Sequence, residues 1–342
     1  MIRIGIICPS EIAFRRFLPS LRKANDQFTF VGVAVASPEE WFGDLSDVRE
    51  ETIAEQQSGE IAKAEAFGVK IFKGYGTIIE SNEIDAIYIP LPPALHYKWA
   101  RLALLNGKHV FVEKPSTCNL MDTEDLICIA AEHELALHEN YMFVFHKQIE
   151  ELDDIVKRSN TIGVPRLYRL SFGFPRRSLT DFRYNKKLGG GALLDVGGYT
   201  LKFASFLLGE TARLTTAQAN YDPAMEVDIF GSATMVNDDG LTVQIAFGMD
   251  NDYRCDIEVW GSRGTLTSGR ILTAPAGYTP TYTIKINQEY TTYEFSEDDA
   301  FFKSLLRFAE CINETKTRKE NYAILRRQSK FVQDFRELSH LQ

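Results

Sequence analysis

The first 143 residues alternate short, β-branched apolar runs with amphipathic helical segments. Strands that are apolar along their whole length are buried on both faces, which is typical of a parallel sheet flanked by helices. We therefore predict a doubly wound α/β fold for this region. The predicted strands are residues 2–8, 28–37, 70–73, 86–90, 109–113 and 136–143, and the predicted helices are 14–24, 52–67, 96–106 and 120–134.

The rest of the chain has longer strand-like runs joined by turn signals such as Asn-Asp-Asp-Gly at 237–240. This pattern predicts a large, mainly antiparallel sheet. The predicted strands are 166–173, 214–221, 227–236, 241–249, 255–261, 265–272, 281–287 and 289–295, and the predicted helices are 146–158, 192–208, 301–313 and 320–338.

The length of 342 residues exceeds one ordinary core, so we predict two domains. A dinucleotide-binding Rossmann-type domain is expected over residues 1–120. A domain for substrate binding and oligomerisation is expected over residues 121–342, with final helices that are free to pack back on the first domain.

Charge and cysteine content narrow the class of protein. The formal net charge of −9 argues against nucleic acid or an anionic membrane surface as a partner. No apolar run approaches the roughly 18 residues needed to span a bilayer. The five cysteines form no CxxC pair, which favours reduced thiols in a cytoplasmic protein. We expect a small-molecule partner and no metal, since His133 and His138 are poorly spaced for shared ligation.

The first strand leads into a turn that could face a dinucleotide. In the GxGxxG/A pattern the three glycine positions fall on Cys8, Ser10 and Ala13, which are all small. Glu11 would repel a phosphate, and Arg15 could compensate for it. We predict cofactor contacts from this turn, Ile12 included; the alternative is a plain strand–helix connection with solvated arginines.

The second strand ends at Ser37, where a carboxylate would otherwise hold the adenosine ribose. A hydroxyl at that position favours NADP slightly over NAD, although Glu39 and Glu40 follow closely. The expected cofactor is therefore NADP or NAD.

Three further strands end in polar or proline-rich segments. Ligands bind outside the carboxyl ends of parallel strands, so these segments are expected to contact the cofactor. The alternative for the Glu-Lys pair is a surface ion pair. The predicted contacts are Pro90, Leu91, Pro92, His96, Glu113, Lys114 and Asn140.

A glycine-rich segment begins at Gly189 and reaches Tyr199. Asp195 and Tyr199 are spaced i, i+4 and should share one helical face. Paired glycines at 197 and 198 indicate close packing, against the nicotinamide, the other domain, or simply a sheet under the helix.

With these segments, nearly the whole chain resembles the glucose–fructose oxidoreductase / inositol dehydrogenase (Gfo/Idh/MocA) family. Two segments resemble the nucleotide-sugar 3-ketoreductases of this family. They are the turn after the first strand, which Leu18-Pro19 follows, and the segment Asp-Phe-Arg-Tyr at 181–184. The resemblance implies that Lys114 lies between nicotinamide and substrate, that Asp195 and Tyr199 project from the second domain, and that Arg183 is near the cofactor.

These residues suit the reduction of a ketone. Hydride addition leaves an alkoxide, which Lys114 would stabilise and which Tyr199 would protonate. Asp195 would orient Lys114 or a substrate hydroxyl. The family often has histidine where this chain has Tyr199, so Lys114 stays open as the proton donor.

Three functions are compatible with the sequence. The first is an NAD(P)-dependent oxidoreductase acting on a nucleotide-linked sugar in glycan or deoxysugar biosynthesis. The second is a dehydrogenase of free polyols, sugars or dihydrodiols, and the third is a non-catalytic dinucleotide-responsive protein. A homo-oligomer, dimer or tetramer, is expected because a broad sheet with one uncovered face favours pairing.

Overall fold

The structure is a computed structural model that describes residues 1–222 and 224–341. It divides into two compact units. The first unit extends beyond the expected domain of residues 1–120, because the strand that follows residue 136 pairs with the sheet of that unit. The last residue of the predicted second domain, 342, lies outside the described residues. The first unit comprises Met1–Thr117, Met121–Asn140 and Ser304–Arg326, and the second comprises Cys118–Leu120, Tyr141–Lys303 and the chain from Arg327 onward.

The first unit contains a six-stranded parallel sheet of order β3-β2-β1-β4-β5-β6. This order confirms the predicted doubly wound fold, and it reverses between β1 and β4, where such sheets bind ligands. The strands are β1 (Ile2–Ile7), β2 (Phe28–Val35), β3 (Lys70–Lys73), β4 (Ala86–Ile89), β5 (His109–Val112) and β6 (Leu137–Glu139). The helices are α1 (Leu18–Lys23), α2 (Pro38–Phe42), α3 (Glu50–Glu65), α4 (Tyr75–Glu80), α5 (Pro93–Leu105) and α6 (Leu120–Glu132).

Burial explains why these runs form a central sheet. All four residues of β4 and the last four of β1 are buried, as expected for strands covered on both faces. Helix α5 places Trp99, Ala100 and Leu104 in the same core.

Several local elements differ from the sequence predictions. Helices α2 and α4 were not predicted, because five or six residues give too little periodicity to recognise. Strand β6 ends at Glu139, and a 3-10 helix over Met142–Phe145 replaces the rest of the predicted strand. The helix after β1 contains a π-helical turn over Ala13–Phe17.

The second unit contains an eight-stranded sheet of order β14-β13-β12-β11-β7-β10-β9-β8. Strands β7 and β10 pair in parallel, and the other neighbouring strands of this order pair antiparallel. The predicted mainly antiparallel sheet is thereby confirmed. Its strands are β7 (Pro165–Gly173), β8 (Arg213–Tyr221), β9 (Asp228–Val236), β10 (Thr242–Gly248), β11 (Arg254–Gly261), β12 (Thr265–Gly269), β13 (Thr281–Ile286) and β14 (Glu289–Glu294). The remaining α-helices of the described residues are α7 (Lys147–Lys157), α8 (Gly198–Leu208), α9 (Ala300–Asn313) and α10 (Thr315–Ser339).

One face of the second sheet forms a core with α7 and α8. Strand β7 alternates buried Tyr168, Leu170 and Phe172 with more exposed residues, the period of a sheet covered on one face. Among the described helices, none is both long enough and apolar enough to cross a membrane.

Candidate active site

The turn after β1 adopts the backbone shape of a dinucleotide loop without its glycines. Cys8 occupies the first glycine position with φ of 75°, in the left-handed region that favours glycine. Ser10 Oγ accepts the backbone N–H of Ala13 at 3.3 Å, so it caps the following helix. Burial raises the pKa of the Cys8 thiol to about 11, which keeps it neutral.

The charges beside this turn lie at the surface. Arg15 Nε is 3.5 Å from Glu11 Oε1, and both side chains are largely exposed. Arg15 therefore offsets the Glu11 charge that would oppose a phosphate. Ile12 is half-buried and Ala13 is buried.

Two carboxylates, Glu39 and Glu40, lie beside Ser37 at the end of β2. Ser37 Oγ donates to Glu39 Oε2 at 2.9 Å, and Ser37 forms a capping box with Glu40. The Glu40 carboxylate also accepts the backbone N–H groups of Tyr75 at 2.7 Å and Gly76 at 3.0 Å. Hydrogen bonds from its own backbone N–H and from Ser37 hold the pKa of Glu39 below its usual range.

The proline-rich segment after β4 contacts the buried side chain of His96 through a backbone carbonyl. Pro90 and Leu91 are buried, and Pro92 is half-buried at the N-terminus of α5. His96 is fully buried, with Nε2 2.7 Å from the Leu91 carbonyl oxygen and Nδ1 2.7 Å from that of Pro115. Burial lowers the pKa of His96 to about 4, although both carbonyls favour the protonated ring.

Glu113 is a buried carboxylate, so the Glu-Lys pair differs from a surface ion pair. Its Oε1 accepts from Tyr88 Oη at 2.7 Å and from Asn140 Nδ2 at 2.8 Å. Asn140 in turn accepts from Ser304 Oγ at 2.9 Å. Burial raises the pKa of Glu113, while these donors oppose the shift. Lys114, the next residue, is half-buried.

In the second unit, the glycine segment 189–191 packs against the backbone of the residues just before it. A Cβ at Gly190 would overlap the Arg183 carbonyl, and the Gly191 N–H donates to that oxygen at 2.9 Å. Gly189 and Gly191 have φ of 78° and 120°. The triple glycine is therefore needed to fold the segment 183–191 on itself.

Asp195 lies in a π-helix, Leu193–Gly197, and is 9% exposed. Its Oδ2 accepts from Arg183 Nε at 2.6 Å, and Arg183 Nη1 is 3.1 Å from Asp181 Oδ1. Arg183 thus lies between two carboxylates. Single π-helical turns inside helices are frequent at functional sites.

Tyr199, in the first turn of α8, stands in an aromatic cluster. Its ring packs at 5.1 Å from Tyr141, 5.6 Å from Phe143 and 5.4 Å from Phe172. The paired glycines before it are explained within this unit, since a Cβ at 197 would meet the Phe247 ring and one at 198 the Tyr141 hydroxyl.

Asp228 is a buried carboxylate at the start of the π-helix that the sequence analysis did not single out. It is 6% exposed, and its Oδ2 accepts the Leu193 N–H at 2.6 Å, at the start of the π-helix. Burial raises its pKa to about 6. The available signal was an acidic residue at the start of a largely apolar strand.

The structure therefore groups the predicted residues of the first unit at the carboxyl ends of β1, β2, β4, β5 and β6, and groups Arg183, Asp195 and Tyr199 within the second unit. Their contacts with a cofactor or substrate stay predictions. Within residues 1–222 and 224–341, no three His, Cys, Asp or Glu side chains are arranged to hold a metal ion.

Known proteins resemble this chain over nearly its whole length. Residues 2–141 match the family model "Oxidoreductase family, NAD-binding Rossmann fold", and residues 150–267 match the "GFO/IDH/MocA C-terminal domain". A dTDP-3,4-didehydro-2,6-dideoxy-α-D-glucose 3-reductase from Streptomyces violaceoruber is 35% identical, over 99% of this chain and 96% of that protein.

Solved structures are similar as well. A 3-ketoreductase from Actinomadura kijaniata, in complex with NADP and TDP-benzene, has a TM-score of 0.86 and 32% identity, covering 98% of this chain and 97% of that one. Variants of it with a substituted lysine or tyrosine have also been solved. An aldose-aldose oxidoreductase from Caulobacter crescentus shares the fold, with a TM-score of 0.80 at 20% identity, covering 99% of this chain and 97% of that one.

Proposed function

The chain belongs to the GFO/IDH/MocA family of oxidoreductases, and on that premise we propose that it reduces the keto group of a nucleotide-linked deoxysugar with NADPH or NADH. The observation that carries this proposal is the 35% identity to a dTDP-sugar 3-reductase along 99% of the chain. The fold alone would not select a substrate, because one fold hosts many activities.

The residues of the first unit fit a dinucleotide. The left-handed backbone at Cys8 and the N-terminus of the helix capped by Ser10 form the kind of turn that accepts a diphosphate. Arg15 balances Glu11 there, and Ser37 with Glu39 offers polar groups to the ribose. The bound nicotinamide would supply the hydride.

Further cofactor contacts are proposed from the loops after β4, β5 and β6. Pro90, Leu91 and Pro92 would contact the cofactor through backbone and apolar groups. Glu113 and Asn140, which hydrogen-bond to each other, are proposed as polar contacts beside them. A direct contact from His96 or Arg183 also stays a prediction; their observed partners are protein groups.

Lys114, Asp195 and Tyr199 are the proposed catalytic residues. As the carbonyl carbon gains a hydride, its C=O π electrons move to oxygen, and the Lys114 ammonium stabilises that charge. The Tyr199 hydroxyl donates its proton to the alkoxide and regains one from solvent. Asp195 orients a substrate hydroxyl while Arg183 holds the carboxylate in place.

A substrate profile tests the function. Initial rates of NADPH and NADH oxidation are measured with a dTDP-linked 3-keto-deoxysugar and with the corresponding free ketosugar; oxidation of free polyols, D-xylose and a dihydrodiol is measured in reverse. We expect kcat/KM for the nucleotide-linked ketone to exceed all others by at least about 10²-fold. A preference for a free polyol, sugar or diol would contradict the proposal.

We also propose that the protein is a cytoplasmic homo-oligomer. The face of the large sheet opposite the core exposes Phe230 by 48% and Trp260 by 54%, around a central Arg169–Glu258 pair. A second copy covering this face would bury those rings. Light scattering after size exclusion tests the assembly, with Trp260→Arg expected to dissociate it.

Five free cysteines suit a reducing compartment, which fractionation would test.

A further inference from the structure

The turn that follows β5, residues 114–116, is held by three buried ionisable side chains, two from the ends of β5 and β6 and one from α5. Each of its three residues has one such contact through its backbone. Glu113 accepts the N–H of Lys114, His96 Nδ1 lies 2.7 Å from the Pro115 carbonyl oxygen, and Glu139 Oε1 accepts the N–H of Ser116 at 2.8 Å.

His96 joins this turn to a second loop. Its Nε2 lies 2.7 Å from the Leu91 carbonyl oxygen in the segment after β4, and the side chain is 0% exposed. The neutral imidazole carries a single N–H, which it can donate to one of the two carbonyl oxygens, and the close contact with both oxygens confines the ring to one orientation. The ring therefore fixes the Pro115 carbonyl relative to the proline-rich segment.

We propose that His96 and Glu139 are positioning residues, which fix the backbone of the turn so that the Lys114 ammonium is held in its working position. The proposal rests on the catalytic role proposed for Lys114. A displacement on the order of 1 Å at a reacting group can reduce the rate about 10²-fold. We therefore expect the contacts of His96 and Glu139 to affect kcat more than the affinity for NADPH.

Two substitutions separate the two contacts of His96. The amide of Asn occupies the place of Nδ1, and the amide of Gln occupies that of Nε2. His96→Asn keeps a donor for Pro115, whereas His96→Gln keeps one only for Leu91. We expect kcat within about 5-fold of wild type for Asn and about 10²-fold lower for Gln. The dissociation constant of NADPH should change less than about 3-fold in both variants, because the fully buried ring contacts protein carbonyls. A larger change would indicate a direct cofactor contact from His96 and would overturn the positioning role.

Hydrogen exchange gives a readout that does not depend on turnover. A peptide spanning residues 114–116 should exchange faster in His96→Gln than in His96→Asn. A purely structural role predicts equal effects, since each variant loses one buried contact. Equal kcat and equal exchange in the two variants would overturn the proposal.

Glu139 provides the same comparison if a His96 variant does not fold. Glu139→Gln keeps an acceptor for the Ser116 N–H, and Glu139→Met removes it at similar volume. We expect kcat to fall at least about 10-fold in Met and to stay near wild type in Gln; equal values would overturn the proposal. Undiminished kcat in Lys114→Ala would instead overturn the catalytic assignment on which it rests.

Discussion

Arg183 Nε donates a hydrogen bond to the Asp195 carboxylate at 2.6 Å, while the same guanidinium contacts Asp181 at 3.1 Å. Asp195 is therefore an ion-paired anion rather than an isolated carboxylate, and its orientation depends on Arg183. The pair joins the segment before the triple glycine to the π-helix that begins after it.

Loss of the Arg183 charge should affect both stability and turnover. In Arg183→Met, Asp195 stays largely buried without its cation. We expect unfolding free energy to fall by about 2–3 kcal/mol, less than for a fully buried pair because Arg183 is 20% exposed, and kcat to fall at least about 10-fold. Urea denaturation and steady-state rates measure these. Arg213→Met, which removes an exposed pair with Asp238, is the control and should cost less than about 1 kcal/mol. Equal losses in the two variants would contradict this account.

The backbone at Cys8 predicts a reversal of the usual order of alanine and glycine. Because φ is 75°, Cys8→Gly should be more stable than Cys8→Ala by about 1 kcal/mol. Cys128, exposed within α6, is the matched control, and there alanine should be more stable by a similar amount. Denaturant midpoints decide it, and a more stable alanine variant at both positions would refute the left-handed turn.

Cofactor choice should respond to charge at the end of β2. Ser37→Asp adds a carboxylate beside Glu39 and should lower the ratio of kcat/KM for NADPH to that for NADH, because a 2′-phosphate is repelled. Glu39→Gln removes one charge and should raise the ratio several-fold. If neither ratio moves, the adenosine ribose does not lie beside Ser37.

Asp228 predicts a pH dependence of stability. Its folded-state pKa, about 6, lies above the ordinary value of 3.8, so the folded protein binds the extra proton between these values. Stability should therefore fall as pH rises from about 4 to 6. Asp228→Asn does not titrate and can still accept the Leu193 N–H. Relative to wild type it should gain up to about 3 kcal/mol between pH 4 and pH 7, measured by urea denaturation. A constant difference across this range would disagree with a raised pKa.

Much of the architecture could be predicted because the spacing of apolar residues along a strand indicates which of its faces are buried. The uniformly apolar β4 and the alternating β7 indicated sheets covered on two faces and on one. The short helices α2 and α4 were missed for different reasons. The capping box of Ser37 and Glu40 is a local sequence signal that was available for α2. The Glu40 contacts to Tyr75 and Gly76 at the start of α4 join residues distant in sequence, which no local pattern indicates.

The candidate site was predictable in residue type but not in role. The sequence singled out Glu113, His96 and Arg183 as polar residues in suggestive places. Whether such a side chain meets a ligand or a protein group depends on contacts between residues distant in sequence, such as His96 with Pro115 and Glu113 with Tyr88. No local pattern encodes these pairs. The glycines at 197 and 198 show the same limit, because their close neighbours are Phe247 and Tyr141.

Transfer of deuterium from NADPH labelled at the transferring position of the nicotinamide tests the central claim most directly. With a dTDP-linked 3-ketosugar, the product should retain the nucleotide and carry one deuterium at the reduced carbon, as read by mass spectrometry. Tyr199→Phe should lower this rate by about 10²-fold and Lys114→Ala by about 10²–10³-fold. Normal rates in both variants, or no deuterium in any nucleotide-linked product of the wild-type protein, would contradict the account.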